Sequence, residues 1–221
     1  MINLGSFGRL AVQNTSKTLR RATLQITLAG ALASASTLGL MPSHAAAVEA
    51  HEENAEIFTA QIPVEGSNIA TGQAVIVVDK PIEEVLRIVL DYANYVRFMP
   101  SFTKSKVLAQ RGSRAVVYME VSVAKGMYTL YGQLNLAERP QDGVSRVVEG
   151  RLMDGNIDAF DASFKLTPTD DGARTEIDFR IYVDPDLPLP SSVFSRENER
   201  AADRTVRALR ARVAEAPGDS T

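Results

Sequence analysis

Glu176-Ile177-Asp178-Phe179-Arg180-Ile181-Tyr182-Val183 alternates strictly between apolar and polar side chains. In an extended chain Ile177, Phe179, Ile181 and Val183 then share one face, and Glu176, Asp178, Arg180 and Tyr182 share the other. One face meets a core and the other meets water. Toward the N-terminus, Val117, Met119, Val121 and Val123 fall on a single face, as do Tyr128, Leu130, Leu134 and Leu136. Turn signals separate these runs at Arg111-Gly112-Ser113, Lys125-Gly126, Pro140-Gln141-Asp142-Gly143, Asp154-Gly155-Asn156 and Asp170-Asp171-Gly172. Five turns between Phe102 and Val183 predict six strands in an antiparallel meander.

The flanks supply the helices. Ile57 to Pro63 is a short extended segment, and Gly72 to Val78 reads as a strand. Pro81 suits the first turn of a helix with Glu83 and Glu84 near its positive end. Ile82, Val85, Leu86 and Val89 repeat at helical spacing, so one face is buried. Asp91 is placed to cap a short second helix that Pro100 ends. Pro185, Pro188 and Pro190 hold the chain extended before a Ser191-Ser192 cap. From Val193 to Glu215 there is no Gly or Pro, and Phe194, Ala201, Ala202, Val206, Leu209 and Val213 form an apolar stripe. Arg204, Arg207, Arg210 and Arg212 complement the helix dipole and read as a solvated face. The order β-α-α-β6-α describes one α+β domain, expected over residues 57–216, with a long helix lying on the sheet.

Composition narrows the chemistry. The 221 residues include no Cys and only two His, His44 and His51, which excludes thiolate chemistry and zinc sites built from Cys and His. Arg9, Lys17, Arg20 and Arg21 precede the uncharged stretch Ala22 to Leu40, and Ala45 and Ala47 fit an A-x-A cleavage pattern. This is the layout of a secretory signal peptide over residues 1–47, with a retained membrane anchor as the rival reading. The Arg20-Arg21 pair also fits a twin-arginine signal. Residues 48–56 and 217–221 read as a disordered spacer and tail. Cleavage after Ala47 removes four basic groups and no acidic one, and the formal charge passes from −3 to −7 over 174 residues. Such a surface repels phosphate backbones, so no nucleic-acid partner is expected.

Within this order stands Asp91-Tyr92-x-x-Tyr95-x-x-Phe98-Met99-Pro100. The motif and the element order together resemble the START-like (SRPBCC) superfamily with the helix-grip fold, in its coenzyme Q-binding and polyketide cyclase/dehydrase branch. The resemblance covers roughly Ala70 to Ala214. It implies a curved antiparallel sheet of about seven strands wrapped around the C-terminal helix, with an apolar cavity between them. Family members mostly bind lipids, isoprenoids or polyketides, and a minority catalyse reactions on them. Locally, Tyr92, Tyr95 and Phe98 project to similar sides of a short helix and plug one end of the sheet, or else Phe98 and Met99 border a cavity mouth.

Catalytic signatures are sparse. No nucleophile elbow, phosphate loop or dinucleotide fingerprint occurs. Asp154-Gly155-Asn156-Ile157-Asp158 opens like a calcium loop, but Ala159 and Lys165 stand where glycine and a bidentate Glu belong, so it reads as a turn. Glu120, Glu149 and Asp158 are the carboxylates on or beside strands, and Glu120 is expected on the solvent side. Glu149 with Arg151 is the candidate for a polar pair that reaches the interior, the alternative being an exposed cross-strand ion pair. Tyr128 is a further acid/base candidate. Residues expected to line a cavity are Phe98, Met99, Met119, Val121, Tyr128, Leu130, Phe160, Phe164, Phe179, Asn198 and Ala202, with Met127 and Met153 as further flexible lining; the alternative is that the methionine and aromatic side chains fill the core and that Asn198 satisfies a buried polar group. The expectation is an exported binder of one hydrophobic molecule with no metal or cofactor. A cyclase-like enzyme and an interaction module with a self-filled cavity are the alternatives.

Overall fold

The computed structural model describes residues 56–185 and 187–216. The expected signal peptide, nearly all of the spacer and the C-terminal tail lie outside the described residues.

Eight antiparallel strands form one curved sheet: β1 (Phe58–Ile62), β2 (Thr71–Val78), β3 (Phe102–Arg111), β4 (Arg114–Val123), β5 (Tyr128–Gln141), β6 (Ser145–Gly155), β7 (Ala159–Thr169) and β8 (Arg174–Asp184). Their order is β1-β2-β8-β7-β6-β5-β4-β3. The meander from β3 to β8 thus pairs neighbour with neighbour, and β2 closes onto β8. The eighth strand beyond the expected seven is β1, whose five residues pair from Phe58 with Val75 to Ile62 with Thr71. Helix α1 spans Ile82–Val89, and a single 3-10 turn at Tyr92–Asn94 leads into the short α2 at Tyr95–Phe98. The long helix α3 spans Ser191–Glu215.

Two expected caps take other forms. Helix α3 begins at Ser191 with Pro190 before it and no side-chain cap. The Ser195 hydroxyl donates to the Ser191 carbonyl at 3.1 Å instead. The Asp91 carboxylate accepts the Asn94 side-chain amide at 2.8 Å and caps no backbone N–H.

Helix α3 lies against β1, β2 and β8. Its seat is Gly72, where an added Cβ would come within 2.1 Å of the Asn198 carbonyl, so only a residue without a side chain admits the helix backbone. Buried Asn198 donates its amide to the carbonyls of Ala70 at 3.0 Å and Val183 at 3.3 Å. Glu199, one residue on, accepts from Gln61 at 2.7 Å and Thr59 at 3.2 Å and so ties β1 to the helix. Ala202, Val206, Leu209 and Val213 then bury their stripe with Val85, Leu86 and Val89 of α1 against the inner face of the sheet. Each fully buried aliphatic side chain there contributes about 1.5–3 kcal/mol.

Candidate functional site

The inner, concave face of the sheet has two halves. The deep half is covered by α1, by the Tyr92–Met99 segment and by α3. Tyr95 meets Tyr92, Phe98 and Phe102 edge to face at centroid separations of 5.8, 5.6 and 5.7 Å. Its hydroxyl donates to the Val89 carbonyl at 2.5 Å, and burial pushes its pKa well above the ordinary phenol value. Burial, and secondarily the Glu138 carboxylate, push Tyr92 up to about 12. Phe164 and Phe179, directly paired across β7 and β8, stack at 4.3 Å. At the far end Arg146 joins Glu83 of α1 at 3.3 Å and Glu138 of β5 at 3.7 Å, clamping the helix to the sheet.

Toward the other end the same face is only half covered. Val121, Leu130, Leu152, Phe160, Ala162 and Ile181 keep the inward parity of the core residues on their strands, yet all six are half-buried. The register places Val121 beside Leu130 across β4 and β5, and Ala162 beside Ile181 across β7 and β8, two apolar pairs of this half-covered strip. Leu130 alone of these six also borders a cleft of about 430 Å3, together with Tyr128, Asn156, Ile157, Asp158 and Leu187. A second cleft of about 410 Å3 shares Asp158 and Leu187 and is walled by the β1–β2 loop and the start of α3. The Asn156 side chain accepts from the Tyr131 N–H at 2.7 Å and donates to the Thr129 carbonyl at 2.9 Å. Its polar atoms fix the β6–β7 turn to β5, which gives the cleft a rigid floor.

The cavity residues read from the sequence separate accordingly. Met99, Met119, Phe164, Phe179 and Ala202 are buried in the core, and Phe98 packs beside it under the Arg212 guanidinium at 5.9 Å. Val121, Leu130 and Phe160 lie on the half-covered strip, and Tyr128 is at the cleft. Asn198 holds backbone carbonyls at the helix seat. Met127 is 75% exposed beyond the β4 end, and Met153 is 58% exposed in the irregular register opposite Gln133 and Leu134, so neither lines the interior.

Glu149 and Arg151 do not reach the interior as a polar pair; each takes the alternative form, an exposed cross-strand ion pair. Both alternate with inward-facing Val148, Gly150 and Leu152 and therefore face outward. Glu149 pairs with Arg139 of β5, while Arg151 meets Asp161 of β7 at 3.4 Å. Glu120 also lies on the outer face, where the Tyr118 hydroxyl and then Lys104 lower its pKa. Sequence reasoning missed Leu152, Ala162 and Ile181 as lining, although period two extended from Phe160 and Phe179 would have found them. Leu187 belongs to the Pro-rich connector and carries no periodic signal.

Residues 78–210 match the family described as polyketide cyclase/dehydrase and lipid transport. Sequence comparison with curated proteins finds no match. Among solved structures, the STAR-related lipid transfer protein of Xanthomonas axonopodis is similar with a TM-score of 0.64 at 16% identity, over 74% of this chain and 95% of that one. Human StAR-related lipid transfer protein 5 gives 0.59 at 12% identity, over 77% and 92%. The Zhui aromatase/cyclase of Streptomyces gives 0.52 at 16% identity, over 65% and 93%. At these identities the likeness is one of fold, the START-like helix grip. With the family match spanning more than half of its length, the chain belongs to the polyketide cyclase/dehydrase and lipid-transport family.

Proposed function

We propose that the chain is an exported, non-enzymatic carrier that holds one hydrophobic small molecule at the mouth of the helix grip. The observation that carries this reading is the half-covered apolar strip together with a cleft of about 430 Å3 that it meets at Leu130, within the range of about 300–1,000 Å3 that small-molecule sites occupy. Burial of apolar ligand surface there contributes roughly 25 cal/mol per Å2. The acid/base candidates Glu149 and Arg151 face the opposite side of the sheet, and of the three only Tyr128 remains near the cleft. Export rests on the leader pattern of residues 1–47. A self-filled interaction module accounts for the packed deep half but not for the open mouth.

Intact mass spectrometry of the protein purified from its native host reads both claims. The expected polypeptide begins at Val48 and carries a non-covalent hydrophobic molecule. A polypeptide that retains residues 1–47 overturns export. Repeated ligand-free preparations that take up no quinone, sterol or fatty acid overturn the carrier.

A further inference from the structure

The sheet has two outer strands, β1 and β3, and they meet water differently. A free strand edge exposes unpaired N–H and C=O groups and invites a further strand unless charge, proline, irregularity or cover blunts it. Strand β3 carries Lys104, Lys106 and Arg111, and its register breaks between Phe102 and Lys104 and between Val107 and Ala109. The Tyr92–Met99 segment lies against its first half, where the Ser105 hydroxyl donates to the Tyr92 carbonyl at 2.6 Å. Strand β1 carries no charge, no proline and no break: Phe58-Thr59-Ala60-Gln61-Ile62 pairs with β2 over all five residues in one register.

The two sides of β1 also differ. Thr59 and Gln61 face α3, because both bond Glu199. Phe58, Ala60 and Ile62 then face the convex side, where Phe58 is 60% exposed beside Val75. An added strand would cover that ring with an apolar side chain of its own. On the concave side, the Glu199 carboxylate accepts from two neutral groups and has no ion-pair partner among the described residues. The arginines that flank it in the helix are engaged elsewhere, Arg196 with the Ser192 carbonyl at 3.2 Å and Arg200 with Glu197 at 2.8 Å. Glu56 and Glu65, beyond the two ends of β1, are exposed and meet no cation among the described residues.

This charge pattern selects the occupant of the edge. A second copy of β1 would bring a second Glu199 to the same side of the sheet, within a few strand spacings of about 4.8 Å, and like charges so placed repel. Strand β3 of a second copy carries Lys104 and Lys106 on the convex side, opposite Glu120 and Tyr118, and would set them against Phe58 and Ala60. A strand with basic residues toward the concave side and apolar residues toward the convex side satisfies both faces.

We propose that β1 is a docking edge for an extended cationic segment of a partner protein, in which basic and apolar residues alternate. Its main chain adds a strand beyond β1, its basic side chains reach Glu199, and its apolar ones cover Phe58, Ala60 and Ile62.

Peptides added to the full chain test this, with fluorescence anisotropy reading affinity and hydrogen exchange reading place. The probe is an end-capped peptide with the core Val-Lys-Val-Lys-Val. The controls are Val-Glu-Val-Glu-Val and Val-Lys-Pro-Lys-Val, whose proline removes a main-chain donor and keeps both charges. The lysine peptide is expected to bind at least about tenfold more tightly than either control and to slow exchange within Phe58–Ile62. Glu199→Gln, which keeps an acceptor for Gln61 and Thr59, is expected to weaken the lysine peptide about fivefold and to narrow its advantage over the glutamate peptide. Equal binding of the lysine peptide and either control overturns the inference. So does slowed exchange at β3 instead of β1, an unchanged affinity in Glu199→Gln, or no binding at all. Exchange within Phe58–Ile62 that slows with protein concentration alone assigns the edge to a second copy and overturns the foreign partner.

Discussion

The deep and mouth halves of the concave face are built from the same strands with the same alternation, and they differ in what lies across them. On β5, Leu134 and Leu136 are buried while Leu130 is half-exposed; on β7, Phe164 and Leu166 are buried while Phe160 is not. Strand pattern alone therefore does not decide between core and binding surface. The covering elements decide it: α1, the Tyr92–Met99 plug and α3 over one half, and turns and a Pro-rich connector over the other. Stability is expected to concentrate in the first half and ligand affinity in the second.

The sharpest way to break this comparison is Phe164→Ala, which removes one ring of the stack in the covered half. A loss of about 3–5 kcal/mol in urea denaturation is expected. A loss below about 1 kcal/mol would mean that the deep half is not the packed core described above.

A smaller effect comes from pH. Tyr92 has its folded pKa raised above the ordinary phenol value of 10 to about 12, so the folded state disfavours the phenolate. The contribution of this residue is complete below pH 10 and is lost as pH rises toward 12. The denaturation midpoint is expected to fall across that window, and Tyr92→Phe to flatten the fall.

The smallest stability effect belongs to the mouth. Leu130→Ala is expected to cost no more than about 1 kcal/mol, because the side chain is already half in water, yet to weaken ligand binding measurably. The reverse result, a large stability loss with unchanged binding, would erase the distinction between the halves.

Much of the architecture was legible because period-two alternation in β4 and β8 and helical spacing in α1 and α3 report directly which face is buried. Strand β1 was legible only as a short extended segment, since its sequence does not show that β2 pairs with it and that Glu199 anchors it. Gly72 read as an ordinary strand start, because its need to be glycine comes from Asn198, which is 126 positions away in the chain. Glu149 was ambiguous because Val147 and Val148 are both apolar and both buried, so neighbours did not reveal its face. The mouth was the least legible part: Asn156 and Asp158 of the β6–β7 turn meet Leu187 of the connector after β8, and the residues of these two connections obey no period. Core residues repeat along one element, whereas this cleft exists only where several loop ends converge.

The closing of the sheet by β2 against β8 also governs the order of events during folding. Gln73 donates to Asp178, 105 positions later, and Asn198 binds the Ala70 carbonyl across 128 positions. Closing loops of that length is entropically slow, and topologies dominated by such distant contacts fold in roughly milliseconds to seconds. The meander from β3 to β8 is able to form from neighbouring hairpins, but β2 finds its pairing partner only when β8 is in place, and β1 its tie to Glu199 only when the C-terminal helix arrives. The strands synthesised first are thus among the last to be secured, and until β8 is in place the inner edge of β2 stays open.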